Sequence, residues 1–113
     1  MSRHTREADL LQGTLDMVIL QAAALSPIHG YGLIQRIQRI SQEALQIRQG
    51  SLYPALHRLE NRGWLKAQWK ETEGGREAKY YALTRAGERQ LAAEKESWAR
   101  LCSAISLVFA AAD

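Results

Sequence analysis

Disulfides, membrane spans and a strong overall charge are all missing from this 113-residue chain. Cys102 is its single cysteine, so no disulfide forms within the chain, and a reducing intracellular setting is the natural expectation. The longest apolar stretch near the start, residues 17–25, is broken by Gln21 and preceded by Asp16. It is too short to cross a bilayer and its flanks are unlike those of a secretory signal, so a cytoplasmic protein with no membrane partner is expected. His4, His29 and His57 have no cysteine or acidic residue at metal-ligand spacing. Neither a Ser/His/Asp arrangement nor a glycine loop fit to cradle phosphate is present. No metal, no cofactor and no enzymatic activity are therefore expected. Repeats and low-complexity segments are also lacking. Apolar residues at 46% and charged residues at 24% describe a folded chain, and the length fits one domain.

A net charge of +3 says little, but its distribution says more. Residues 29–80 carry nine Lys and Arg against five Glu, whereas residues 1–28 are net −1 and residues 81–113 are neutral. Positive charge gathered in the middle suits a surface that faces a polyanion.

The order of elements gives that charge a setting. Residues 1–9 are polar and aperiodic, and read as a flexible arm. Leu15, Val18, Ile19, Ala22 and Leu25 repeat at helical spacing and predict a first helix over residues 11–25, ended by Ser26-Pro27. A second helix opens at His29-Gly30 with Tyr31, Ile34, Ile37 and Ile40 facing inward. Leu45 and Ile47, in the polar connection that follows, plug the core. Ser51 is expected to cap a third helix, with Pro54 in its first turn, Leu52, Ala55, Leu56 and Leu59 as its buried stripe, and Gly63 closing it. The period then changes. Leu65, Ala67 and Trp69 alternate with polar residues, Gly74-Gly75 makes a turn, and Ala78, Tyr80 and Ala82 alternate with Lys79, Tyr81 and Leu83, which describes a β-hairpin. Thr84 caps a last helix reaching toward residue 112. Three helices, a hairpin and a final helix make a mostly α (α+β) fold: a winged helix-turn-helix DNA-binding domain over residues 10–83 and a long C-terminal dimerisation helix over residues 84–113. In that layout the second helix crosses the phosphate backbone, the third enters the major groove, and the hairpin touches flanking DNA.

Specific residues also resemble one family. The run Gly50-Ser51-Leu52-Tyr53-Pro54-Ala55-Leu56, then Arg58-Leu59-Glu60 and Gly63-Trp64-Leu65, is similar to the third-helix signature of PadR-type transcriptional regulators. His29-Gly30-Tyr31 with Ile34, Lys79-Tyr80-Tyr81-Ala82-Leu83-Thr84 with Gly87, and Leu11-Gln12-Gly13-Thr14-Leu15 resemble other parts of the same family. The matches run from residue 11 to 87, about two-thirds of the chain. A single C-terminal helix resembles the short subgroup. The resemblance implies a homodimeric repressor that binds an inverted repeat in double-stranded DNA and lets go when a small effector, often aromatic or cationic, is bound.

On the third helix Ser51, Tyr53, Pro54, His57 and Arg58 lie off the leucine stripe, with Gln49 just before the expected cap. Hydroxyls, an imidazole and a guanidinium there suit phosphates and base edges. Lys70, Arg76 and Lys79 are the expected hairpin contacts, although Glu71, Glu73 and Glu77 make that hairpin less basic. Arg36 and Arg39 suit either phosphates or solvent. Leu91, Trp98 and Ile105 recur every seven residues along the last helix, with Leu101, Cys102, Val108 and Phe109 between them. That stripe is too broad for one winged helix to cover, so a second copy is expected there, joined by Leu10, Leu11 and Leu15 of helix one. In some similar short regulators a tryptophan of this helix stacks on a flat ligand between subunits. Trp98 carries that expectation here, beside the simpler one that it fills the dimer core.

Overall fold

The structure, a computed structural model, describes residues 12–112. Among these residues four helices and three short strands follow one another as α1 (Gln12–Leu25), β1 (Ile28–His29), α2 (Gly30–Ile40), α3 (Gln49–Asn61), β2 (Leu65–Glu71), β3 (Glu77–Leu83) and α4 (Arg85–Ala110). The expected arm over residues 1–9, Leu10, and Leu11 at the expected start of helix one lie outside the described residues.

The leucine-rich faces anticipated from periodicity meet in one core. Leu15, Ile19, Leu20 and Ala22 of α1 pack with Leu33 and Ile37 of α2 and with Leu52, Ala55, Leu56 and Leu59 of α3. Ile47 is buried between α2 and α3, and Leu45 packs beside it. Two expectations for α2 are corrected. Tyr31 and Ile40 are more than half exposed, while Leu33, one position off the expected stripe, is fully buried.

α3 begins earlier than expected. Arg48 precedes the first turn and its carbonyl accepts from Ser51 and Leu52 N–H groups, so Ser51 is inside the helix rather than at its cap. Pro54 therefore falls in the second turn, where its missing N–H removes one helical hydrogen bond. The other end matches expectation. Gly63 takes φ +78°, its N–H bonds to Glu60 O, and Trp64 N–H reaches back to Leu59 O, the paired bonds that close a helix through a left-handed residue.

Trp64 then serves as a joint. Its carbonyl accepts from Thr84 N–H, and Gly87 of α4 comes so close that an added Cβ would lie 2.1 Å from that oxygen. Thr84 Oγ1 donates to Gly63 O at 2.6 Å and accepts from Gly87 N–H at 3.0 Å. One hydroxyl thus ties the end of α3 to the start of α4.

The hairpin carries a third strand that periodicity did not reveal. β1 pairs antiparallel with β3, Ile28 opposite Tyr81 and His29 opposite Tyr80, giving the order β1-β3-β2. Leu65 opposes Leu83, Ala67 opposes Tyr81, and Trp69 opposes Lys79, so these six share one face. Leu65 and Tyr81 reach the core, and Trp69, farther along, is 63% exposed.

Candidate nucleic-acid interface

A helix that buries one stripe must present the opposite one, and on α3 a 100° step per residue sets Gly50, Pro54 and His57 opposite the leucines. Gln49, Ser51 and Tyr53 are exposed as well. Tyr53 leans toward the hairpin side, with its ring against Gly30 at the start of α2. A Cβ on Gly30 would come within 2.7 Å of Tyr53 Cε1. α2 itself is capped by His29, whose Nδ1 accepts from Gly32 N–H at 3.0 Å. The His29 ring also meets Tyr80 edge-on, with centroids 5.3 Å apart. Between the start of α2, α3 and the hairpin lies a cleft of about 450 Å³, lined by Tyr31, Tyr53, Thr72, Arg76 and Lys79 among others. Sequence reasoning passed over Tyr31, because its helical phase suggested the core, and passed over Gly50 and Thr72.

Three basic residues behave differently from their sequence expectation. Arg58 does not project freely from α3. Its Nη2 donates to Oδ1 of Asp16 on α1 at 2.7 Å, and the Asp16 side chain is only 6% exposed. Lys79 is turned back to α3, with Nζ 3.1 Å from Glu60 Oε1. That hydrogen bond is the main reason its ammonium is held above the usual lysine value, while burial pushes the neighbouring Tyr81 phenol upward. Arg36 lies against the end of α1 rather than in solvent, its guanidinium donating to the Ala22 and Ser26 carbonyls and to Ser26 Oγ. Lys70 sits on the outer hairpin face over the Tyr80 ring, 5.6 Å from its centroid, and Arg76 is exposed in the turn. The exposed cations nearest the α3 surface are therefore fewer than composition suggested.

The stripe on α4 divides in two. Leu91 is buried against its own chain, and so is Leu15 on α1, which corrects the expectation that both lie in a seam between subunits. Beyond them Trp98, Leu101, Cys102, Ile105, Val108 and Phe109 are all exposed. Trp98 borders a groove of about 550 Å³ whose walls include Met17, Val18, Leu25, Ile37, Ile40 and Leu45. Among the described residues no group of His, Cys, Asp and Glu is placed to hold a metal, and no helix is long and apolar enough to cross a membrane.

The family model described as "Transcriptional regulator PadR-like family" matches residues 19–93. A transcriptional regulator of Mycobacterium tuberculosis is 34% identical over 79 residues, which cover 70% of each chain. Among solved structures, a PadR-like transcription factor from Bacteroides fragilis is 31% identical and superposes with a TM-score of 0.71 over 86% of this chain and 91% of that one. A PadR-like transcriptional regulator from Bacillus cereus is 25% identical, with a TM-score of 0.78 over 92% and 99% of the two chains.

Proposed function

The chain belongs to the PadR-like family of transcriptional regulators, DNA-binding proteins rather than enzymes, and from that premise we propose that it is a cytoplasmic homodimeric repressor of an inverted-repeat operator. The observation that carries the operator reading is the outer face of α3. Gln49, Ser51, Tyr53, Pro54 and His57 are exposed on a helix whose other face is wholly committed to the core. A helix of this width enters the major groove, and its hydroxyl, amide and imidazole groups suit base edges and phosphates there. Arg76 and Lys70 extend the contact along the flanking backbone from the hairpin.

Tyr53 is the residue to test first, because its ring is braced by Gly30 while its edge stays exposed. The wild-type chain is incubated with a pool of randomised duplexes, bound DNA is recovered and sequenced, and the enriched duplex is used in gel shifts. A palindromic sequence should emerge, and its affinity should fall steeply with salt as counterions are retained. Tyr53→Ala should weaken it by about 1–3 kcal/mol if a base is read, with the circular dichroism spectrum unchanged. A pool that stays random after selection would overturn the operator reading.

The small-molecule effector is assigned to the Trp98 groove. Its walls are mostly aliphatic and Trp98 borders it, with Lys95 as the charged residue in its lining. A flat, uncharged aromatic compound suits this groove through stacking and apolar contact. Tryptophan fluorescence should be quenched by such aromatic compounds in the wild type and unaffected in Trp98→Ala, which keeps Trp64 and Trp69. Equal quenching in both proteins would leave Trp98 as a packing residue.

A further inference from the structure

Among the described residues Asp16 is the one charged residue buried in the core, 4% exposed among the apolar residues of α1. A carboxylate removed from water is costly unless it is paired. Its partner, Arg58, stands 42 positions later on α3 and keeps 29% of its side chain exposed, so the guanidinium runs from the core to the surface beside the outer face of that helix. Arg58 Nε is buried and makes no hydrogen bond among the described residues, so the Asp16 contact orients the group.

Cohesion alone does not call for this pair, since an apolar pair of similar volume holds two helices together at least as well. What a charged hydrogen bond adds is direction. The leucines of α3 present a smooth stripe to α1, whereas a 2.7 Å bond of defined angle fixes how far α3 is turned about its own axis. A tyrosine tip lies roughly 8 Å from a helix axis, so a turn of about 10° moves it by more than about 1 Å. Recognition geometry tolerates only about 0.5 Å.

We propose that Asp16 is a positioning residue for the DNA-reading helix: through Arg58 it sets the rotation of α3 against α1, and so the sequence preference of the outer face, without touching DNA. The proposal rests on the operator reading above. α1 also packs against α4, so the strut joins the helix that reads to the one that lies along the expected dimer face.

The test compares the full-length wild type, Asp16→Asn, and the apolar double variant Asp16→Leu/Arg58→Met. Each is passed through the same duplex selection, and its affinity is measured for the wild-type sequence and for a scrambled duplex. The double variant should melt at or above the wild-type temperature and bind the scrambled duplex as the wild type does. Its discrimination between the two duplexes should fall at least tenfold, and Asp16→Asn, where it folds, should lose discrimination in the same direction. A double variant that melts like the wild type and keeps its discrimination overturns the proposal. A uniform gain of affinity in Asp16→Asn, with the same sequences enriched, also overturns it, because Arg58 would then be a DNA contact that Asp16 holds back. If the wild type itself enriches nothing, the operator reading falls and takes this role with it.

Discussion

Gly50 stands opposite the buried stripe of α3, and a Cβ built there meets no other side chain or segment of the described residues within 4 Å. Glycine inside a helix costs about 0.5–1 kcal/mol relative to alanine, and nothing among the described residues asks for that cost. Close approach of another backbone is the remaining physical use for it. Gly50→Ala should leave the protein as stable or up to about 1 kcal/mol more stable in urea, while weakening the selected duplex at least about tenfold. Unchanged affinity would show that DNA does not come that near. Gly87 is the contrast: there the protein's own Trp64 carbonyl occupies the space, so the requirement is internal. Arg58 and Lys79 carry a related lesson. Each looks like a free cation in the sequence, and each proves to be paired with an acid from another element.

The joint between α3 and α4 is held by a single side chain at the scale of elements. Thr84 Oγ1 caps α4 through Gly87 N–H and donates to Gly63 O, which lies just past the end of α3. Losing an N-cap costs about 0.5–2 kcal/mol, and the second bond places Thr84→Ala toward the upper end of that range. Thr84→Ser keeps both bonds and should fall within about 0.5 kcal/mol of the wild type in the same denaturation experiment. Equal losses in the two variants would mean that the methyl group, not the hydroxyl, stabilises the joint. The cap itself was legible, since threonine directly before a helical run is a local signal. Its second bond was not, because Gly63 is 21 residues away in sequence.

The molecule as a whole measures 60 × 36 × 20 Å, and its length comes from α4, about 39 Å long over 26 residues. Trp98, Leu101, Ile105, Val108 and Phe109 continue the face that begins with buried Leu91, past the point where α1 can cover it, and Phe109 is 82% exposed. Burying one such side chain contributes about 1.5–3 kcal/mol. Ten of them in a pair of helices reach the scale of the roughly 4–15 kcal/mol that association costs. Ile105→Glu places an unpaired carboxylate in that contact and should give a monomer by light scattering at micromolar concentration. A dimer that persists would move the interface elsewhere. Alkaline pH should act on the fold itself. Lys79 and Tyr81 both have folded-state values raised above their ordinary 10.5 and 10.0. The unfolded chain therefore loses these protons first as pH rises, and the folded state alone retains them. Stability from this pair of groups is full at neutral pH and declines above about pH 10, which melting curves from pH 7 to 11 will show.

The sequence by itself determined the order of the four helices and the hairpin, the buried stripe of α3, the hairpin turn, and the family. All of these depend on local spacing, and local spacing is written in the chain. Which of two alternating sets on β3 faces inward, the pairing of Ile28 and His29 with that strand, and the burial of Leu15 and Leu91 within one protomer were decided only in three dimensions. The same holds for charge. Glu60 and Lys79 lie 19 positions apart and Asp16 and Arg58 lie 42 apart, and neither pair has any periodic signature. An ionic side chain seeks the nearest opposite charge in space, and only the packing of α1 against α3 and of α3 against the hairpin brings those charges within reach.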